Sequence, residues 1–177
     1  PGTEVRLPLT DLSGHGRSQL IGQIESLHRL IPYLRHVSEI HVVNHGDRTS
    51  YRRETAERGE LTEVDIYKND SLQERRHIFS VERVPPDDEF AELVKHRALE
   101  NEEKFREEPV PVKISFPVDE DGKPQHRNER DEPSRLFNFF PTKDELRIPF
   151  DIQADFLLDS DRESLHNKQS AYNQWIF

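Results

Sequence analysis

The feature that most constrains the fold is a change of hydrophobic period along the chain. Val5–Leu9 alternates apolar residues with Arg and Pro, which is typical of a half-buried strand. From Arg17 to Ile31 the apolar residues recur every three or four positions, which predicts a helix with one apolar face. Pro32 is expected to end or kink this helix. Strand patterns then return, so the chain must combine helices and strands.

The rest of the chain contains more strand patterns than helix patterns. Strands are expected at 40–43, 49–55, 61–67, 77–84, 109–118, 136–140 and 148–158. One further helix, capped by Asp87 or Asp88, is expected to run to about Arg106. The order strand, helix, strands, helix, strands predicts the α+β class, with a mostly antiparallel sheet and two main helices.

Three details of this pattern can be checked against the structure. The prolines of 109–118 favour a strand start or the edge of a sheet. Residues 119–134 contain no apolar residue, which indicates a polar, solvated loop that could be disordered. Pro141 and Lys143–Asp144 are expected at the connection between the last two strands.

Composition limits the classes of function. The chain has 25 Lys and Arg against 35 Asp and Glu, a net charge of −10 with His neutral, which argues against nucleic-acid binding and anionic membranes. It has no Cys, which excludes disulfides, thiolate metal sites and Cys nucleophiles, and no apolar run long enough for a membrane-spanning helix. It also has no Met, so we expect it to be an internal piece of a longer protein.

The common signatures of self-contained sites are not found in the sequence. His41 and His45 share a face of a strand, but about 13 Å separates such positions, which is too far for two ligands of one zinc ion. We therefore interpret them as solvated histidines. The acidic run 119–121 lacks the spaced ligands of a calcium loop. The sequence also contains no GxxxxGK[ST], GxGxxG, GxSxG or HExxH motif.

Arg162 is the strongest candidate for a functional cation. It follows the strand pattern at 148–158, where Ser160 or Asp161 can cap a helix, so it is expected at a strand-to-helix corner. A guanidinium at such a corner can bind a phosphate or a carboxylate through two parallel hydrogen bonds. From the residues alone, an ordinary ion pair with a neighbouring acid is the favoured interpretation.

Several motifs keep an order that resembles the GHKL ATPases, and most closely their sacsin and NO VEIN branch. In the C-terminal fifth of the chain these motifs are Phe140–Pro141–Thr142, Ile148–Pro149–Phe150, Phe156–Leu157–Leu158, Asp161–Arg162 and Asn173–Gln174–Trp175. Asp155–Leu165 is similar to the catalytic loop of the ninety-kilodalton heat-shock chaperones, whose core reads Ser-Arg-Glu-x-Leu. Near the start, Gly2 and Thr3 resemble the Gly-Thr step that ends the ATP lid in this class.

The resemblance implies an organisation in which 1–16 is the last strand of a GHKL nucleotide domain and its linker. Residues 17–177 would then be a middle, transducer-like domain with a split α/β sandwich fold. Such a segment couples ATP-driven closure to the rest of the protein. The alternative is a non-enzymatic interaction or dimerisation module with the same fold. An exposed edge of its sheet, such as the strand at 110–118, could pair with a strand of a partner.

The resemblance also implies roles for particular residues and partners. Arg162 would contact the γ-phosphate of ATP, His166 occupies the position of the polar helper residue, and Lys168 is a possible further cation. ATP and Mg²⁺ would be bound by the adjacent nucleotide domain, so this chain alone is expected to be inactive. The expected partners are that domain and a protein client or a second copy of the chain. The expected location is inside the cell, in the cytoplasm.

Overall fold

The computed structural model describes most of the chain beyond residue 26. The described residues are 22, 24, 27–34, 36–44, 46–97, 106, 108–125, 133–138, 140–161, 163–166 and 170–177. The predicted strand Val5–Leu9, the Gly2–Thr3 step and the predicted boundary at 16/17 lie outside them.

The described helices are short. Helix α1 spans Leu27–Leu30 and continues into a 3-10 helix at Ile31–Tyr33, so the helix predicted before Pro32 ends close to that residue. Helix α2 spans Asp87–Arg97 and α3 spans Ala171–Ile176. Acidic residues fill the first turn of α2 and basic residues its last turn, which suits the helix dipole. Residues 98–105, where the sequence predicts that α2 continues, lie outside the described part.

In the described part of the chain, eight strands form one open sheet. They are β1 Glu39–Asn44, β2 Asp47–Arg58, β3 Leu61–Lys68, β4 Ser71–Arg83, β5 Val110–Val118, β6 Ser134–Asn138, β7 Phe140–Leu146 and β8 Asp151–Gln153. Their order in the sheet is β1-β2-β3-β4-β5-β8-β6-β7, and among these pairs β8 and β6 alone run parallel. The predicted α+β class with a mostly antiparallel sheet is confirmed.

Each face of the sheet is covered by its own helices. On one face, α1 and the 3-10 helix cover a first core, made of Ile31, Tyr33, Tyr51, Val64, Ile66, Ile78 and Phe137. On the other face, α2 and α3 cover β5, β8 and β6 and bury a second core, made of Phe90, Leu93, Val112, Leu136, Ile152, Ala154, Phe156, Leu157, Tyr172 and Ile176. Because side chains alternate along a strand, Leu136 and its neighbour Phe137 contribute to opposite cores. None of the helices in the described part of the chain has the length and apolarity needed to cross a membrane.

The predicted edge position of 110–118 is wrong. Strand β5 pairs with β4 along its whole length and with β8 at Lys113–Ser115, so it lies inside the sheet. Its prolines are tolerated because alternate residues face alternate neighbours. The carbonyl of Pro117 accepts a hydrogen bond from the Gln125 N–H, away from β4, and Pro111 faces the same way. Both prolines therefore face the β8 side of β5, at positions beyond the residues that pair with the short β8, so their missing N–H groups cost no strand hydrogen bond.

Two other expectations near the C-terminus are corrected. Pro141 and Lys143–Asp144 do not form a connection, because they belong to β7, which pairs with β6. The strand predicted over 148–158 is reduced to β8 and a single bridge at Leu158. β7 is polar and lies at the edge of the sheet, so it lacks the apolar alternation that marks a strand buried on one face.

The polar segment after β5 begins with an ordered turn. The Asp119 carboxylate accepts the N–H groups of Asp121 and Lys123 at 3.0 and 2.8 Å, and Val118 bridges to Pro124. The acidic run therefore fixes its own backbone. Residues 126–132 of the predicted loop lie outside the described part.

A charge network is buried where the meander of β1–β5 meets β8. Arg76 is 2% exposed and donates to the Glu74 and Asp151 carboxylates at 2.9 and 2.7 Å, and to the Ser115 hydroxyl at 2.8 Å. Asp151 also accepts the Arg135 N–H at 2.9 Å. Burial by itself lowers the pKa of Arg76, but nearby negative charge outweighs it and the pKa lies above its ordinary value. The network connects β4, β5, β8 and β6.

Candidate functional site

The segment that carries the resemblance folds into a closed loop, Leu157–His166, which we call the site loop. The His166 N–H donates to the Leu157 carbonyl at 2.8 Å and the Asp159 N–H donates to the Ser164 carbonyl at 2.9 Å. Leu158 and Leu165 form an antiparallel bridge between these bonds. The chain therefore reverses its direction within the loop.

The predicted helix start at Ser160 or Asp161 is wrong. The Asp161 carboxylate does accept a backbone N–H, that of Glu163 at 2.9 Å, as a capping residue would. However, the residues around it form a turn, and the chain then returns to pair with Leu158. The capping hydrogen bond forms, but the pairing of Leu158 with Leu165 decides the conformation.

Asn173 of α3 holds both ends of the site loop. Its side-chain oxygen accepts the Leu157 N–H at 2.8 Å, and its side-chain nitrogen donates to the carbonyls of Leu157 and His166 at 3.0 and 3.1 Å. The Asn173 backbone N–H in turn donates to the Ser170 hydroxyl, which caps α3. The resemblance had included Asn173, and its contacts give it a structural role as an anchor.

Strand β7 holds the loop from the other side. The Lys143 N–H donates to the Glu163 carbonyl at 2.6 Å, and the Leu165 N–H donates to the Asp144 carboxylate at 2.9 Å. The Lys143 and Glu163 side chains also form an ion pair, which raises the pKa of Lys143, chiefly through their hydrogen bond. The described residues before and after position 162 are thus fixed to two separate elements.

An open cleft of about 930 Å³ lies beside the site loop. Its polar lining comes from Asn138, the end of α2 and the site loop, and its apolar lining includes Phe140, Phe156 and Leu158. Arg97 of α2 donates to both carboxylate oxygens of Asp155 at 2.6 and 2.5 Å. This hydrogen-bonded pair raises the pKa of Arg97. Arg97 is therefore committed to Asp155 and fixes the end of α2 to the chain leading into the loop.

Two histidines meet in this cleft. The Nδ1 atom of His166 lies 2.9 Å from a carboxylate oxygen of Asp159, and the ring centroids of His166 and His96 are 4.4 Å apart. If Nδ1 donates to Asp159, a neutral His166 carries its lone pair on Nε2 and can accept a proton there. The arrangement can therefore orient an imidazole for hydrogen bonding or proton transfer.

The structure describes one of the sequence-predicted site residues. His166 lies in the cleft, whereas Arg162, Lys168, Gly2 and Thr3 are outside the described residues. The contact between His96 and His166 was missed, because no local pattern relates the end of a helix to a loop seventy residues later. Asp155 and Asn138 were missed for the same reason.

Metal binding has no support from the part of the chain that the structure describes. Within it, no group of three or more His, Asp or Glu side chains is arranged to hold a metal ion. His41 instead contacts Arg48 and Glu39, and His45 lies outside the described residues. No protein-family model, curated protein or solved structure matches the chain.

Proposed function

We propose that this chain is the middle, transducer-like segment of a GHKL-type ATPase of the sacsin kind. In this proposal the site loop carries Arg162 to the γ-phosphate of ATP bound by an adjacent nucleotide domain. Closure of that domain on this segment completes the active site and moves the rest of the protein. The proposal places the protein inside the cell, in the cytoplasm, where ATP is available.

The observation that carries the proposal is the fixation of the site loop. An arginine finger accelerates phosphoryl transfer by placing positive charge where negative charge develops, and it is effective only when its position is fixed. Asn173 holds Leu157 and His166 at the two ends of the loop, and β7 holds Glu163 and Leu165 within it. Arg162 lies between these attachments in the sequence. The ordered motifs from Phe140 to Trp175 support the same assignment.

The proposal gives His166 a supporting role. Its contact with Asp159 orients the imidazole at the border of the cleft, where the Nε2 lone pair can accept a hydrogen bond from the attacking water. Lys168 supplies a further positive charge in this scheme. ATP and Mg²⁺ are assigned to the adjacent nucleotide domain, and this chain alone is expected to leave ATP unhydrolysed.

The second candidate is an interaction or dimerisation module without a role in hydrolysis. Its original basis, an exposed edge at 110–118, is removed by the interior position of β5. A different observation favours it: Phe79, Val81 and Ile114 are exposed on the face of the sheet. The two candidates differ in what they predict for Arg162: loss of its charge lowers ATP turnover if the chain is a transducer segment and has no effect if it is an interaction module.

The test uses the protein that contains this chain together with its nucleotide domain. Arg162→Ala should lower the rate of phosphate release at saturating ATP by about 10³-fold or more, as expected for an arginine finger. Affinity for a fluorescent ATP analogue should change little. Arg162→Lys should recover only part of the rate, because Lys cannot form two parallel hydrogen bonds.

Arg48→Ala, in the hairpin of β1 and β2, is the matched control and should retain full turnover. Unchanged turnover in Arg162→Ala would remove the catalytic role and leave the interaction module as the function to test.

A further inference from the structure

One face of the sheet combines exposed apolar side chains with a charged groove. Paired residues of β3, β4 and β5 form a row on this face, Leu61, Phe79 and Ile114. Phe79, Val81 and Ile114 are 40%, 55% and 37% exposed, although they are large and apolar. Groups of such residues on a protein surface mark binding sites for other molecules. We call these residues, with Phe116, the apolar row.

The apolar row continues directly into a groove of about 470 Å³ over β2, β3 and β4. His77 of the groove connects the two, because it pairs with Glu63 and Phe116 in the sheet and its ring lies 6.1 Å from that of Phe116. The turn after β5 closes the groove on one side. There, a side chain at Gly122 would lie 3.5 Å from the His77 ring.

The groove carries a net negative charge. Five carboxylates and two guanidinium groups line it, a net charge of −3 with His77 neutral. Two of the carboxylates are partly neutralised, since Asp65 binds Arg75 at 2.7 and 2.9 Å and Glu63 lies 3.1 Å from Arg58. Beside the groove, Glu54 pairs with Arg52 and Asp121 lies 3.7 Å from Lys123, so the excess negative charge is concentrated on the turn, at Glu120 and Asp121.

We propose that this face docks a partner-protein segment that carries both apolar and cationic side chains. The apolar row would receive the apolar side chains, and the carboxylates of the groove would attract Lys or Arg. Phe79 lies four residues after Arg75 on β4. At about 3.3 Å per residue, the apolar row and the Asp65–Arg75 pair are about 13 Å apart along the strand. An extended segment with an apolar residue and a cation four positions apart matches this spacing.

A second copy of the chain fits the face less well. Two copies related by a twofold axis would bring the same negative groove together, which costs energy at low salt. The net charge of −10 on the whole chain acts in the same direction. The charge of the face therefore selects a basic partner.

The test measures binding of a labelled synthetic peptide to the full chain. In the peptide, two leucines are followed by two lysines on the same side of an extended backbone. A second peptide has glutamates in place of the lysines. The lysine peptide should bind more tightly, and its affinity should fall as salt concentration rises.

Two pairs of variants, each with one change on the proposed face and one elsewhere, test whether the peptide binds there. Phe79→Thr should weaken binding of the lysine peptide by roughly tenfold, whereas Val43→Thr, an exposed apolar residue of β1, should not. Glu63→Gln should weaken it by about two- to fivefold, whereas Glu57→Gln on the opposite face of β2 should not. Circular dichroism checks the fold, and Val81→Thr replaces Phe79→Thr if that variant unfolds.

Three outcomes would overturn the proposal. They are no binding of the lysine peptide, equal binding of both peptides, or full affinity in the Phe79 and Val81 variants. Sedimentation adds a fourth: if the chain self-associates and Phe79→Thr abolishes this, the face belongs to a second copy.

Discussion

Replacing Arg76 by methionine tests how far the buried charge network stabilises the fold. Methionine keeps much of the apolar stem but removes the guanidinium and its bonds to Glu74, Ser115 and Asp151. The two carboxylates lose this counter-charge inside the protein. Breaking a buried ion pair in this way costs about 3–5 kcal/mol, a large share of the roughly 5–15 kcal/mol that stabilises a typical domain.

The preceding residue, Arg75, provides the control. Arg75 is on the same strand but on the opposite face, where its side chain is 35% exposed and pairs with Asp65. An ion pair of that kind contributes about 1 kcal/mol or less, so Arg75→Met should cost that much at most. The two variants differ by one position in sequence and have the same change in composition.

Urea unfolding, followed by circular dichroism and by the fluorescence of Trp175, measures both free energies. Arg76→Met should lower the unfolding midpoint far more than Arg75→Met, with similar slopes. Adding Glu74→Gln to Arg76→Met should recover part of the loss, because one buried charge is then removed. Equal costs for the two arginine variants would refute the reasoning that burial makes this network stabilising.

Two further predictions concern α3. Asn173→Ala removes three hydrogen bonds and should cost about 2–4 kcal/mol, with faster hydrogen exchange at the Leu157 amide, whereas Gln174→Ala should do neither. Burial, and then the charge of Asp155, raise the pKa of Tyr172, so the unfolded chain ionises first and stability should fall as pH rises above about 10. Tyr172→Phe should flatten that fall in unfolding free energy; an unchanged pH dependence would show that other groups cause it.

The sequence predicts the presence of β1–β5 because runs such as 40–43 and 61–67 are rich in strand-forming residues, but the strand predicted at 77–84 leaves out Ser71–Arg76 of β4. It fails at β7, whose Lys143–Glu145 are polar and whose strand conformation depends on pairing with β6. Arg76 lies outside the strand predicted at 77–84, and no pattern around it indicates that it shares the buried face of β4 with Ile78. Its partner Asp151 is 75 residues away, so no local pattern reveals the pair.

At the candidate site, the sequence predicts a segment but not its shape. The resemblance indicates Asp155–Leu165, and Ser160 or Asp161 is a capping signal. Whether such a turn becomes a helix depends on Asp144 and Asn173, which bind the backbone of the loop from β7 and α3. These contacts arise only from the tertiary fold.

The position of β8 has a consequence for the order of folding. Strands β1–β5 contain two-residue turns and other neighbour contacts that form early, and β6 and β7 form a separate hairpin. The three residues of β8 join these two units, and they come last of the strands in sequence. We therefore expect the two units to gain structure separately and the seam at Asp151–Gln153 to close late. The same short seam is the place where the sheet should first divide when the protein is pulled or partly unfolded.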